Sequence, residues 1–273
     1  MSGADFFGVV DLNPYSHKIG EVDRALAMQQ HAGIAKALQH AGVEIITTKA
    51  PANCQDGIFT ANWALCIGDT AILSSLPGPR KPEEPYAEAT LRRLGKKIIR
   101  APYRFSGQGD TLPCGRYLFC GSGYRTDPRM QKLLAETFGL EIIALQAIPE
   151  LDRSGKPVTN ALSGWPDSFF YDIDLAISIL REDLIGWCPE ALTPASQAKI
   201  RTLSIDKIEV SLSEAQQGLA CNLVSTGETV IMTAHAPRYK AAIKSHGLKV
   251  ITPETSELAK GGGGIRCTTL TLS

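Results

Sequence analysis

TDPRMQKLLAETFG at 126–139, running into LEIIAL at 140–145, decides the fold. An amphipathic helix closes on a glycine, and a short β-branched strand follows at once. The same helix–strand order occurs four more times, once with a polar break in place of the glycine. VDRALAMQQHAGIAKALQHAG leads into VEIITT (22–48), and EEPYAEATLRRLG into KKIIRA (83–101). TPASQAKIRTLS leads into IDKIEV (193–210), and APRYKAAIKSHG into LKVIT (236–252). Gly42, Gly95, Gly139 and Gly247 stand where a helix end favours a left-handed residue. Divided by five, the 273 residues give roughly 55 per unit, close to the range of repeat architectures.

Each helix–strand pair is followed by a segment of strand character: 56–73, 107–121, 169–187, 219–232 and 263–272. IGDTAIL, PCGRYLF and VSTGETVIM in the first, second and fourth of these read as hairpins. Each segment opens on a polar or glycine-rich stretch: FTAN ending at Asn62, GQGD at Asp110, YDID at Asp174, ACN at Asn222 and GGGGIRC at Cys267. Around a pseudo-fivefold axis these openings converge at one end. The expectation is one α/β domain over 1–273, with a central site of carboxylates, amides and one thiol.

The bulk composition excludes several partners. Lys+Arg and Asp+Glu balance at 28 each, so no phosphate-tracking surface is expected and nucleic acid is excluded. No apolar run reaches the roughly 18 residues that span a bilayer, and the N-terminus has no signal-peptide pattern. Seven scattered cysteines without CxxC spacing argue against a disulfide framework and against zinc, and fit a reduced, cytoplasmic protein. No metal or cofactor is expected, and the sequence leaves a homodimer open.

Together, DGIFTANWALCIGD (56–69), GQGD (107–110), GSGYRTD (121–127), FFYDID (169–174) and KGGGGIRCTTL (260–270) resemble the pentein superfamily. Within it they are most similar to the branch of dimethylarginine dimethylaminohydrolases, amidinotransferases and arginine-dihydrolase-like proteins. The landmarks run in order from Asn13-Pro14 to Leu272. The resemblance implies a five-bladed α/β propeller and chemistry on a guanidino or ureido carbon. It implies Cys267 as nucleophile, Asp56 and Asp174 on the substrate guanidinium, and Arg125 on an α-carboxylate. Asn62 falls where dimethylarginine hydrolases often carry Asp and dihydrolase-like members carry Asn. Asn13 and Gln108 complete the expected substrate contacts.

The chemistry is consistent with these residue types. A guanidinium is a planar cation that carboxylates can hold bidentately. A thiolate attacks its carbon, an amine leaves, and water hydrolyses the covalent thiouronium. Each residue also has a plain reading: Cys267 as one more buried thiol, Asp56 as a turn residue, Arg125 as a surface arginine, Asn222 as a turn former.

Two positions depart from the resemblance. The family's proton-transferring histidine is replaced by Asp172, and the Glu ahead of the GxGD region by Ser106 or Gln108. A carboxyl near pKa 3.9 is a poor acid at neutral pH unless burial and a neighbouring carboxylate raise it. The expectation is therefore a hydrolase or amidinotransferase with Asp172 as a modified acid–base. The alternative is an impaired homologue that binds an arginine-like ligand. The Gly/Pro/Ser-rich stretch 152–168 is expected as a loop able to reshape the pocket or supply a substitute group.

Overall fold

A computed structural model describes residues 1–12, 14 and 21–272. Four three-stranded sheets repeat one arrangement, in which two antiparallel strands are followed by a helix and a third strand that returns parallel to the second. β1 (Ala64–Ile67), β2 (Thr70–Leu73), α2 (Glu84–Arg93) and β3 (Lys97–Arg100) form the first. β4 (Thr111–Cys114), β5 (Tyr117–Gly121), α3 (Met130–Phe138) and β6 (Glu141–Leu145) form the second. β7 (Ile177–Arg181), β8 (Leu184–Trp187), α4 (Pro194–Thr202) and β9 (Asp206–Glu209) form the third. The fourth has a short helix α5 (Leu212–Gly218) ahead of it. It comprises β10 (Val224–Ser225), β11 (Thr229–Ile231), α6 (Pro237–Ser245) and β12 (Lys249–Ile251). A short α7 (Ser256–Ala259) precedes the glycine run.

The glycines expected at helix ends all take positive φ, from 66° at Gly139 to 84° at Gly42. The hairpin that follows one helix–strand pair joins the sheet of the next pair, so each blade is offset by half a repeat from the sequence units. A fourth hairpin, β7–β8, turns at Glu182-Asp183, where no Gly signals it.

The fifth unit differs from expectation. No ladder forms over 43–48 or over 263–272; a single parallel bridge joins Ser2 to Thr48. α1 (Arg24–His40) leads to this bridge, where the N–H of Gly3 donates to Thr48 O and that of Thr48 to Met1 O, each at 3.0 Å. Phe7 from the N-terminal segment also packs with Ile265 and Cys267 from the C-terminal one, so both chain ends meet in one unit. A local helix–strand period cannot reveal this, because the partner strand is the distant N-terminus.

The first strands of neighbouring sheets touch, β4 against β7 and β7 against β10, so these strands surround the axis. They line an axial cavity of about 480 Å³, with Gln108, Asp174 and Arg266 among its walls. The apolar core lies between sheets and outer helices, as in the cluster of Phe119, Trp187, Ile200 and Tyr239. No described helix is long and apolar enough to cross a membrane. No group of His, Cys, Asp or Glu among the described residues is arranged to hold a metal.

Candidate active site

Three of the polar openings fold as 3-10 turns directly before an inner strand: Thr60–Trp63, Gly107–Gly109 and Ile173–Leu175. This puts Asn62, Asp110, Asp172 and Asp174 at one end of the axis. The glycine run delivers Cys267 to the same place. A Cβ on Gly261 or Gly263 would meet the Phe59 ring at 2.8 Å or 2.6 Å, so the run lets the backbone pass tightly over that ring.

Cys267 is buried, and its thiol lies between two groups. Asn222 Nδ2 donates to Sγ at 3.0 Å, and Sγ donates to Asp174 Oδ2 at 3.4 Å. Asn222 Oδ1 accepts the backbone N–H groups of Gly264 (2.9 Å) and Cys267 (3.1 Å). Burial pushes the thiol well above its usual range, and Asp174 and Asp172 add to the effect.

Asp172 is fully buried. Asn62 Nδ2 donates to its Oδ2 at 2.7 Å, and Arg125 Nη1 lies 3.7 Å from the same oxygen. Burial and the negative charge of Asp172 raise Asp174 well above the usual carboxylate range, against the pull of Arg266. Burial and Asp172 likewise push Asp110 up to about 7. The Oδ1 atoms of Asp172 and Asp174 are buried without a hydrogen-bond partner among the described residues.

Arg125 stacks on Tyr171, its Cζ 3.8 Å from the ring centroid, and donates to Leu12 O at 3.2 Å. Tyr171 in turn donates to Gly262 O at 2.7 Å, tying the Arg125 side to the glycine run. Asp56 is buried, 4.0 Å from Arg80 Nε, and burial raises it to about 6 despite that guanidinium. Gln108 differs from expectation: both ends of its amide bind Thr271, at 2.8 Å and 2.9 Å, so it clasps the C-terminal segment. Asn13 lies outside the described residues. Ser106, at the missing Glu, accepts from Asn62 Nδ2 at 2.9 Å.

The stretch 152–168 is a small hairpin, bridged at Leu151–Pro157 and Thr159–Pro166. Asn160, Trp165 and Asp167 from it line a narrow cavity with Leu12, Arg125 and Tyr171. It therefore covers the Arg125 side of the site and brings no histidine to Cys267.

Two residues escaped the sequence reading. Arg80 and Glu83 are buried at 2% and 1% exposure and form a bidentate pair, Nε–Oε1 and Nη2–Oε2 at 2.7 Å each. Arg80 Nη1 also donates to Asn62 Oδ1 at 2.7 Å, and Trp63 Nε1 donates to Glu83 at 3.0 Å. Their stretch, GPRKPE, reads as an ordinary polar linker. No local signal distinguishes a buried ion pair there from a solvated one.

The chain matches the family model described as N,N dimethylarginine dimethylhydrolase, eukaryotic, over residues 13–273. It is 26% identical over 272 residues to the N(G),N(G)-dimethylarginine dimethylaminohydrolase of Mycobacterium tuberculosis, covering 99% of this chain and 84% of the relative. It is 28% identical over 267 residues to the bifunctional arginine dihydrolase/ornithine cyclodeaminase AgrE of Nostoc sp., covering 95% of this chain but only 35% of that protein. Among solved structures, an AgrE mutant in binary complex with L-arginine matches with a TM-score of 0.88 at 26% identity. That match covers 100% of this chain and 40% of that one.

Proposed function

The chain belongs to the N,N-dimethylarginine dimethylhydrolase family, and from that premise we propose that it is a cysteine-dependent hydrolase of the guanidino group of arginine or an arginine derivative. The reaction passes through a thiouronium on Cys267. The observation that carries this reading is the charge imbalance around the thiol. Asp172 and Asp174 act on the thiol, and Asp56, Glu83 and Asp110 are buried in the network joined to them, against the buried Arg80 and Arg125 and the half-buried Arg266. A low-dielectric site with surplus carboxylates calls for a cation or for protons. A guanidinium satisfies the open oxygen of Asp172 and favours the nearby thiolate.

Arg125 stands between Asp172 and the cavity under the 152–168 hairpin. An α-carboxylate entering there would replace Asp172 as its partner, which favours amino-acid substrates over simple amines. Water as the acceptor makes the protein a hydrolase, in line with the named activities of its relatives; an amine acceptor would make it an amidinotransferase. All seven cysteines are free and buried, which fits a reducing compartment such as the cytoplasm.

The test is incubation with arginine, its N-methylated forms and agmatine, with the ureido product and released amine quantified. Turnover is expected for an amino-acid substrate and is expected to vanish in Cys267→Ser. Undiminished turnover by that variant, or none by the unaltered protein on any of these compounds, rejects the proposal.

A further inference from the structure

Asp172 and Asp174 are both buried on the same turn, yet their partners differ in kind. Asp172 Oδ2 is held by Asn62 Nδ2 and faces Arg125. The Asn62 amide cannot turn over, because its Oδ1 accepts from Arg80 Nη1. Turning it would set an NH₂ group against a guanidinium. Arg80 is itself clamped by Glu83 and by the carbonyls of Asp56 and Phe59, both at 3.2 Å. A Cβ on Gly109 would lie 2.5 Å from Asn62 Nδ2 and 2.7 Å from Asp172 Oδ2, so the amide and carboxylate pack directly on a bare backbone. One oxygen of Asp172 is thus held by an amide donor that cannot reorient, while its Oδ1 stays open toward a ligand.

Asp174 has no such donors. Its Oδ2 touches the Cys267 thiol, and its Oδ1 is open. The charged and titratable groups that face it are Cys267, Asp172, Asp110, Arg266, Tyr171 and the buried Cys221. The acids among them favour a proton on Asp174, and Arg266 opposes it.

Resting on the guanidino-hydrolase reading, we propose that Asp174 is the catalytic acid–base, and that Asp172 is a fixed anion held by the Arg80–Asn62 relay to bind the substrate cation. With a guanidinium bound, the thiol proton passes from Sγ to Asp174, and the sulfur forms the C–S bond. Asp174 returns that proton to the departing nitrogen as the C–N bond breaks, leaving a thiouronium and a neutral amine. Water then adds to the same carbon and gives one proton to Asp174. The C–S bond breaks with its electron pair returning to sulfur, which takes the proton back from Asp174. The remaining hydroxyl proton goes to the amine, so a neutral ureido product and an ammonium leave. This transfers to an aspartate the task that the resemblance assigns to a histidine, at a position two residues further on.

The experiment compares Asp174→Asn with Asp172→Asn by steady-state kinetics, by mass spectrometry of the Cys267 adduct, and by the pH profile of Cys267 alkylation with iodoacetamide. Asp174→Asn is expected to lose about a thousandfold in kcat with KM kept, and to form no adduct. Asp172→Asn is expected to raise KM at least about tenfold and still form the adduct at high substrate, since only cation binding is weakened. The alkylation midpoint should fall by about one pH unit or more in Asp174→Asn, as the carboxylate facing the sulfur is gone. Should Asp174→Asn not fold, Asp174→Glu keeps the charge, displaces the proton carrier and is expected to lower kcat at constant KM. Adduct formation by Asp174→Asn together with its loss in Asp172→Asn at saturating substrate overturns the assignment. If the unaltered protein processes no guanidine, the functional reading fails. The alkylation profile then judges Asp174 alone, and an unmoved midpoint rejects it.

Discussion

Asn222 holds Cys267 at two points: its Nδ2 donates to Sγ at 3.0 Å, and its Oδ1 accepts the Cys267 backbone N–H at 3.1 Å. The backbone donors fix which way the amide faces, so the NH₂ end must point at sulfur. A donor aimed at sulfur favours the thiolate, against the burial and carboxylates that oppose it.

Asn222→Asp keeps the acceptor for the backbone and puts a carboxylate where the sulfur had a donor. Its kcat/KM is expected to fall about 100-fold or more, on the scale of losing one donor at a developing charge. Cys267 alkylation at neutral pH should slow in parallel. Equal rates in variant and parent would show that Asn222 only shapes the turn.

Stability should depend on pH through the buried acids. Asp110 and Asp56 titrate near 7 and 6 when folded, and Asp174 is raised as well. The unfolded chain releases these protons near pH 4, so between about pH 4 and 7 the folded state binds more protons. Stability from these groups therefore falls as pH rises through that window. His31 acts in the opposite direction, since burial and the N-terminal ammonium push it down to about 4. It offsets only one of the three acids. In Asp110→Asn the fall should be shallower by about 1 kcal/mol or more, read from denaturant unfolding at pH 5 and pH 7.5. An identical slope in both proteins would contradict the raised Asp110.

Asp172→His restores the residue type that the resemblance leads one to expect, yet no gain in kcat is expected from it. The imidazole would face the Asn62 NH₂ and the Arg125 guanidinium, with Gly109 packed against them. Removing the carboxylate leaves buried donors unpaired, at a cost of about 2–4 kcal/mol. The measurements are kcat and unfolding free energy; a variant both faster and equally stable would contradict this account.

Glu83→Ala leaves the Arg80 guanidinium buried without its bidentate partner. A loss of about 3–5 kcal/mol is expected by denaturant unfolding, far above the cost of an exposed pair such as Lys97–Asp69.

Much of the fold was legible because its signals are local. The helix at 130–138, Gly139 with φ 66° and the strand at 141–145 follow from periodicity and backbone freedom within a few residues. Cys267 and Asp174 were legible through the company of their motifs. The contact between them was not, since they are 93 residues apart. Gln108 was read as a substrate contact and instead clasps Thr271, a choice made by where the C-terminus docks.

By itself, the sequence determined four of the five helix–strand units, the four helix-ending glycines, and the acidic turns ahead of the inner strands. These are properties of short stretches, set by side-chain periodicity and backbone sterics. Only the tertiary structure decided that both chain ends share the fifth unit, that Arg80 and Glu83 are buried together, and that Asn62 is locked with its NH₂ toward Asp172. Those depend on desolvation and on partners distant in sequence. Burial alone makes an ion pair structural and an amide rigid, and here it gives two neighbouring aspartates different surroundings.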